Sequence, residues 1–188
     1  MASTKSASAQ TRKLKSRTAM REAMLRLLAE TPLEQIQITD LTARAGVGYA
    51  TFFRHFSGID EVLSDIASAE IEALLGMTIP VLQQFDSSVS MRTLCRYVFD
   101  RQALWRTLLT GGAAHTVRAE FIRQAREWSS HSDAKVKTAV PIDLGTVCAA
   151  GSTIDALAWW LERIEDHTVD EIAEYINELV INPFIGGR

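Results

Sequence analysis

Apolar side chains return every third or fourth position through most of this sequence, and nowhere do they alternate with polar ones over the length of a strand. Ala23, Met24, Leu27 and Leu28 form one such set. Met91, Leu94, Cys95, Val98, Trp105, Leu108 and Leu109 form a second, and Val117, Phe121, Ala125 and Trp128 a third. A period of about 3.6 residues gathers each set on one side of a helix. The expected fold class is all-α.

With 188 residues, 47% hydrophobic, the chain can bury a core without metal or disulfide staples. No run approaches the roughly 18 apolar residues of a membrane span. The opening MASTKSASAQTRKLKSR lacks the apolar centre of a secretory signal. Cys95 and Cys148 are far apart and form no C-x-x-C, which suits a reducing cytoplasm. Charge is unevenly divided: residues 1–56 carry nine Lys/Arg against four acids, and the remainder carries 11 against 19. A basic end on an acidic body invites a polyanion partner, although an uneven solvated surface has the same composition.

Punctuation divides the helices. Residues 1–10 read as a disordered basic arm and 11–30 as a first helix, stopped by Thr31-Pro32. Thr39 is a candidate N-cap for a second helix through Ala45, with Gly46 as its left-handed terminator. A third spans 49–55. Ser57 opens a fourth, with Asp60 at the capping-box position. Gly76 and Pro80 are expected to break that helix. Further helices are predicted over 89–109, 113–130 and 141–165, with 131–140 as a loop. Thr168 and Glu171 form a capping box for a last helix that buries Ile172, Ile176, Leu179 and Val180, and Asn182-Pro183 closes it. These boundaries suggest a domain over 11–57, a linking helix over 58–80 and a second domain over 81–188.

Residues 38–56 meet the requirements of a helix-turn-helix. Leu41 and small Ala45 face inward, Gly46 permits a positive φ, and Val47 plugs the turn. Phe52 and Phe56, four apart, would bury against Leu27 and Leu28. The face left outside is Tyr49, Ala50, Thr51, Arg54 and His55, as insertion into a major groove requires. Two ordinary helices joined by a glycine turn would share much of this pattern.

The segment resembles the DNA-binding domain of TetR/AcrR-type bacterial regulators at Ile38, Asp40, Leu41, Ala45, Gly46, Val47, Thr51, Phe52, His55, Phe56 and Leu63. Residues 149–162 and 168–179 are similar to that family's last two long helices. The resemblance implies an N-terminal DNA-binding domain reading a palindromic double-stranded operator, a helical domain for a small-molecule effector, and a homodimer. It departs from the pattern in Gly48 for the usual Ser, Phe53 for Tyr, and Ile59 near a common Lys. These losses remove phosphate contacts rather than base contacts and shift weight onto Lys5, Arg12, Lys13, Lys15 and Arg17. The expected DNA contacts are Tyr49 and Ala50 on base edges and Thr51, His55 and Thr39 on phosphates. Gly48, Arg54, Lys13, Lys15 and Arg17 lie beside them.

In the second domain most large apolar groups are ordinary core candidates. A pocket lined by Phe99, Trp105, His115, Phe121 and Trp128, with Tyr97 and Thr153 as polar handles, would suit a hydrophobic or aromatic effector. The small residues Ala149 to Ser152 would let two helices approach. With Ala156, Trp160, Ile172, Ile176 and Leu179 they fit half of a four-helix interface or a core within the monomer, and the resemblance implies the dimer. An effector would shift the end of the fourth helix and move paired recognition helices away from operator spacing, about 34–36 Å.

Two other function classes were weighed. An enzyme lacks support, because His55, His115, His131 and His167 form no metal spacing and no phosphate loop is visible. No cofactor is expected. A family-related DNA-binding protein with no small ligand, acting through a protein partner or in chromosome organisation, fits the first domain equally well.

Overall fold

The structure is a computed structural model that describes residues 2–83, 86–130 and 140–185. Among the described residues it is helical throughout, with no strand. The helices are α1 Ala2–Glu30, α2 Ile38–Ala45, α3 Tyr49–Phe52, α4 Ile59–Gln83, α5 Ser87–Asp100, α6 Gln102–Thr110, α7 Ala114–Ser130, α8 Ile142–Leu161, α9 Val169–Ile176 and α10 Asn182–Ile185. They form two compact units, residues 1–66 and 67–188, divided within α4. The predicted loop at 131–140 falls, except for its last residue, outside the described residues.

In the first unit α1 packs along α2, and α2 meets α3. Met20, Ala23, Met24, Leu27, Leu41, Phe52, Phe56 and Leu63 are its buried centre. The segment expected as a disordered arm is instead helical from Ala2 onward. Nothing between Ala2 and Thr31 is Gly or Pro, and Ala, Lys, Arg, Gln and Leu are good helix formers. The N-cap of α2 is Gln37 rather than Thr39: the Asp40 carboxylate accepts from the Gln37 N–H at 3.2 Å. Gly46 ends α2 at φ +64°, the left-handed turn read from the sequence. At the start of α4 the capping acid is Glu61, which accepts from both the N–H and the hydroxyl of Ser57, and not Asp60.

In the second unit α7 lies along α8, α5 along α9, and α6 contacts both α7 and α8. Trp105, Leu108, Phe121, Ile154, Leu157 and Trp160 are fully or almost fully buried there. The expected break at 76–80 is absent, and α4 runs on with Pro80 inside it. A proline deletes one rung of the helix ladder. Here burial of Leu74, Leu75 and Thr78 in the turns before it holds the helical path. The helix predicted over 89–109 is two helices, α5 and α6, meeting at Arg101 with φ −125°.

The Thr168–Glu171 capping box forms as read, with the Thr168 N–H donating to Glu171 at 2.8 Å. Leu179, expected in the core, is 78% exposed. Asn182-Pro183 does not close the last helix: α9 passes through a π turn over Asn177–Ile181 into α10. Proline is tolerated there because the first turn of a helix does not use its N–H.

Candidate DNA interface

The recognition helix is short. Its regular part is Tyr49–Phe52, and a turn continues it to His55, whose N–H donates to the Phe52 carbonyl at 2.8 Å. Gly48 is its N-cap at φ −73°, without a side-chain cap. What holds so short a helix is packing beneath it, since propensity alone could not. Phe52 is 0% and Phe56 3% exposed, their rings 6.0 Å apart, and Leu27 is buried in the same unit. Arg17 lies over the Phe56 ring at 5.9 Å.

Tyr49, Ala50 and Arg54 are exposed on the opposite side, with Thr51 and His55 partly so. Arg54 Nη2 donates to the Thr51 hydroxyl at 2.9 Å, which lays the guanidinium along the helix. Sequence reading missed one member of this face: Phe53 is half exposed and meets Tyr49 edge-on, ring centroids 5.1 Å apart. Its signal was the i, i+4 spacing of two aromatics outside the Phe52–Phe56 pair. Thr39 is exposed near the start of α2, but the Asp40 carboxylate already occupies that helix end. A phosphate there would meet a like charge.

Arg17 is a correction. It was expected on a phosphate, yet both ends of its guanidinium grip Asp65, with Nε on Oδ2 at 3.0 Å and Nη2 on Oδ1. Arg21 joins it with Nε on Oδ2 at 2.5 Å. Burial alone would raise the Asp65 pKa, but the two arginines outweigh it and hold the carboxyl below its ordinary value. Arg17 and Arg21 therefore fasten α1 to the first turns of α4. Lys13 and Lys15 remain exposed on α1. Arg12, Lys13 and Ser16 on α1 and Arg54 and His55 from the recognition turn line one cleft of about 580 Å³.

Residues 21–66 match the model of the tetR family of bacterial regulatory proteins. The whole fold is similar to a TetR-family regulator from Syntrophomonas wolfei, at 15% identity and TM-score 0.69, over 92% of this chain and 96% of that one. It is also similar to one from Streptococcus agalactiae, at 21% identity and TM-score 0.64, over 93% and 98%. A third likeness is to RolR in complex with resorcinol, at 22% identity and TM-score 0.62, over 90% and 89%. No curated protein matches the sequence.

Residues 21–66 thus carry a domain of the tetR family, and the chain as a whole shares the fold of TetR-type structures.

The second unit of this TetR-type fold places the remaining candidates. Trp105, Phe121 and Thr153, expected on an effector pocket, are buried in the helical core. Trp105 keeps its indole N–H buried without a hydrogen-bond partner among the described residues. Phe99 is half-buried and stacks on Trp160 at 6.1 Å. Tyr97 donates to Glu70 at 2.7 Å with Arg101 over its ring at 4.0 Å; burial, then the Glu70 bond, pushes its phenol up to about 12. His115 is exposed. Trp128 lines a cavity of about 460 Å³ together with Ser68, Glu72, Arg123, Gln124 and Glu127.

Of the interface candidates, Trp160, Ile172 and Ile176 are buried within the chain's own second unit and cannot meet a partner. Trp160 also donates its indole N–H to the His167 carbonyl at 3.0 Å. Ala149 and Ala156 are half-buried, and Ser152 and Leu179 are exposed. The small-residue patch serves a packing role inside the chain: a Cβ on Gly151 would stand 2.7 Å from Arg118 Nη2 and 3.7 Å from Ile122. The exposed large apolar groups of α8 and the segment after it include Ile142, Leu144, Trp159, Tyr175 and Leu179. Among the described residues no three His, Cys, Asp or Glu gather as a metal site, and no helix is long and apolar enough to cross a membrane.

Proposed function

We propose that this chain is a ligand-responsive transcriptional regulator that binds a palindromic operator as a homodimer and releases it when a small molecule binds. The observation that carries the reading is the two-sided recognition helix. Phe52 and Phe56 are sunk in the first unit while Tyr49, Ala50, Thr51 and Arg54 stand outward beside the α1 cations. Tyr49, supported by Phe53, and Ala50 would meet base edges or a thymine methyl. Thr51, His55, Lys13 and Lys15 would hold backbone phosphates and set the register. With Arg17 tied to Asp65, the phosphate contacts shift toward the first turns of α1.

For the dimer, the surface that fits a second copy is Leu144, Ser152 and Trp159 of α8 with Tyr175 and Leu179. For the effector, the Trp128 cavity supports a molecule with a flat apolar body and a basic group. The indole offers a stacking wall and Glu72 a carboxylate, while Arg123 is already paired with Glu120 and Glu127. Resorcinol in the complex of RolR, a protein of the same fold, is likewise a small aromatic molecule. Repression follows from release: an effector that binds the free form more tightly must weaken operator affinity by the same coupling free energy.

A second reading, a DNA-binding protein with no small ligand, keeps the buried Trp105 and Phe121 as ordinary core. Selection of bound duplexes from a random DNA library tests both at once. A recovered palindrome with two half-sites supports the dimeric regulator. Recovery of no preferred sequence, even at low salt, would remove the DNA reading altogether.

A further inference from the structure

The cleft between α1 and the recognition turn gathers an unusual set of groups. Arg12 and Lys13 enter from α1, and Arg54 and His55 from the turn after α3. Ser16 completes the wall, its hydroxyl donating to the Arg12 carbonyl at 3.1 Å. Among the described residues lining it there is no carboxylate. On α4, Asp65 is engaged by Arg17 and Arg21 and Glu61 by Ser57. His55 is half-buried, its ring 6.2 Å from that of Phe56.

This setting works against a charged imidazole. Burial first, then the fields of Lys13, Arg54 and Arg17, lower the His55 pKa from its ordinary value of 6.5. At neutral pH the ring is therefore neutral in the free protein. An anion seated among Arg12, Lys13 and Arg54 reverses the sign of the local field and favours the imidazolium, which then offers a charge-assisted hydrogen bond.

We propose that this cleft seats one backbone phosphodiester of the bound duplex and that His55 takes up a proton from solvent as it does so. The inference rests on the DNA-binding reading and adds to it that operator affinity is proton-linked. Its sign is fixed by linkage: a complex that binds more protons than its free partners is favoured as pH falls. One proton per subunit allows at most a tenfold change per pH unit per half-site.

The test uses the full chain, the duplex recovered by selection, and a constant ionic strength. Between pH 8 and pH 6 the wild type should tighten by about threefold or more per half-site. His55→Gln should bind more weakly than the wild type at pH 6 and lose the tightening between pH 8 and pH 6. His55→Lys, with a charge fixed in place, should bind at pH 8 with nearly the affinity of the wild type at pH 6. Lys13→Gln should weaken binding to every duplex and reduce the salt slope by about one. Histidine NMR should report His55 protonating on addition of duplex at pH 7. A wild type that binds the duplex equally at pH 6 and pH 8, or a His55→Gln variant with the full pH response, would overturn the proposal while leaving DNA binding intact. Inorganic phosphate that saturates the His55 signal at low millimolar concentration without displacing the duplex would overturn it as a seat for the DNA backbone. Failure to bind any duplex at any pH would instead remove the function on which it rests.

Discussion

Arg21 holds Asp65 by two different atoms at once, its Nε on the carboxylate at 2.5 Å and its Nη2 on the backbone carbonyl at 3.0 Å. Arg17 grips both carboxylate oxygens, and the Asp65 side chain is only 9% exposed. Removing the carboxylate leaves two arginines facing each other beside a half-buried surface. Asp65→Asn should therefore lower unfolding stability by about 1–3 kcal/mol, measured by urea denaturation. Arg17→Gln should cost less, about 1 kcal/mol or below, since Arg21 stays in place and Arg17 is half exposed. Equal losses from the two variants would contradict a shared carboxylate.

Acid sensitivity has a definite source in the second unit. Arg123 first, then Gln124 and Ser68, hold the Glu120 carboxyl down at about 2 against an ordinary 4.5. A carboxylate with a depressed folded value contributes stability that is present above the unfolded pKa and is lost as pH falls through the folded one. The wild type should lose stability progressively from about pH 5 towards pH 2. Glu120→Gln should begin less stable at pH 7 and fall less steeply across that window. A parallel decline in thermal scans of the two proteins would exclude Glu120 as a contributor.

Gly48 sits at φ −73°, ψ 149°, where any residue is comfortable, and a Cβ there would come no closer than 3.9 Å to Thr51 Oγ1. Gly48→Ser should add a hydroxyl cap for the first-turn N–H groups and restrict the unfolded chain. The expected gain is about 0.5–1 kcal/mol, read as a rise in melting temperature. A loss of stability would mean that the helix start is more crowded than this geometry indicates.

Leu179 and Trp160 separate interface from core. Leu179→Glu should leave folding within about 0.5 kcal/mol of wild type and shift sedimentation from dimer to monomer. Trp160→Ala should remove about 3–5 kcal/mol of stability, because its indole fills the unit and its N–H is satisfied by His167. A dimer that survives Leu179→Glu undiminished would place the contact elsewhere.

Local chemistry was the legible part of this chain. The positive φ of Gly46, the burial of Phe52 and Phe56 and the Thr168–Glu171 box each depend on residues within a few positions of one another. What escaped the sequence depends on distant partners or on competition between neighbours. Arg17 looked like a phosphate ligand because Asp65, its actual partner, is 48 positions away. Thr39 lost the cap of α2 to Gln37 because Asp40 could reach back to the Gln37 N–H. Trp160 and Ile176 lie on amphipathic helices, and periodicity says that one face is covered without saying by what.

Pro80 leaves α4 unbroken but takes away the amide that would have reached the Gly76 carbonyl. A rod lacking one rung yields first at the gap. That missing rung lies 15 residues beyond Asp65, whose two arginines tie α1 to the first turns of the same helix.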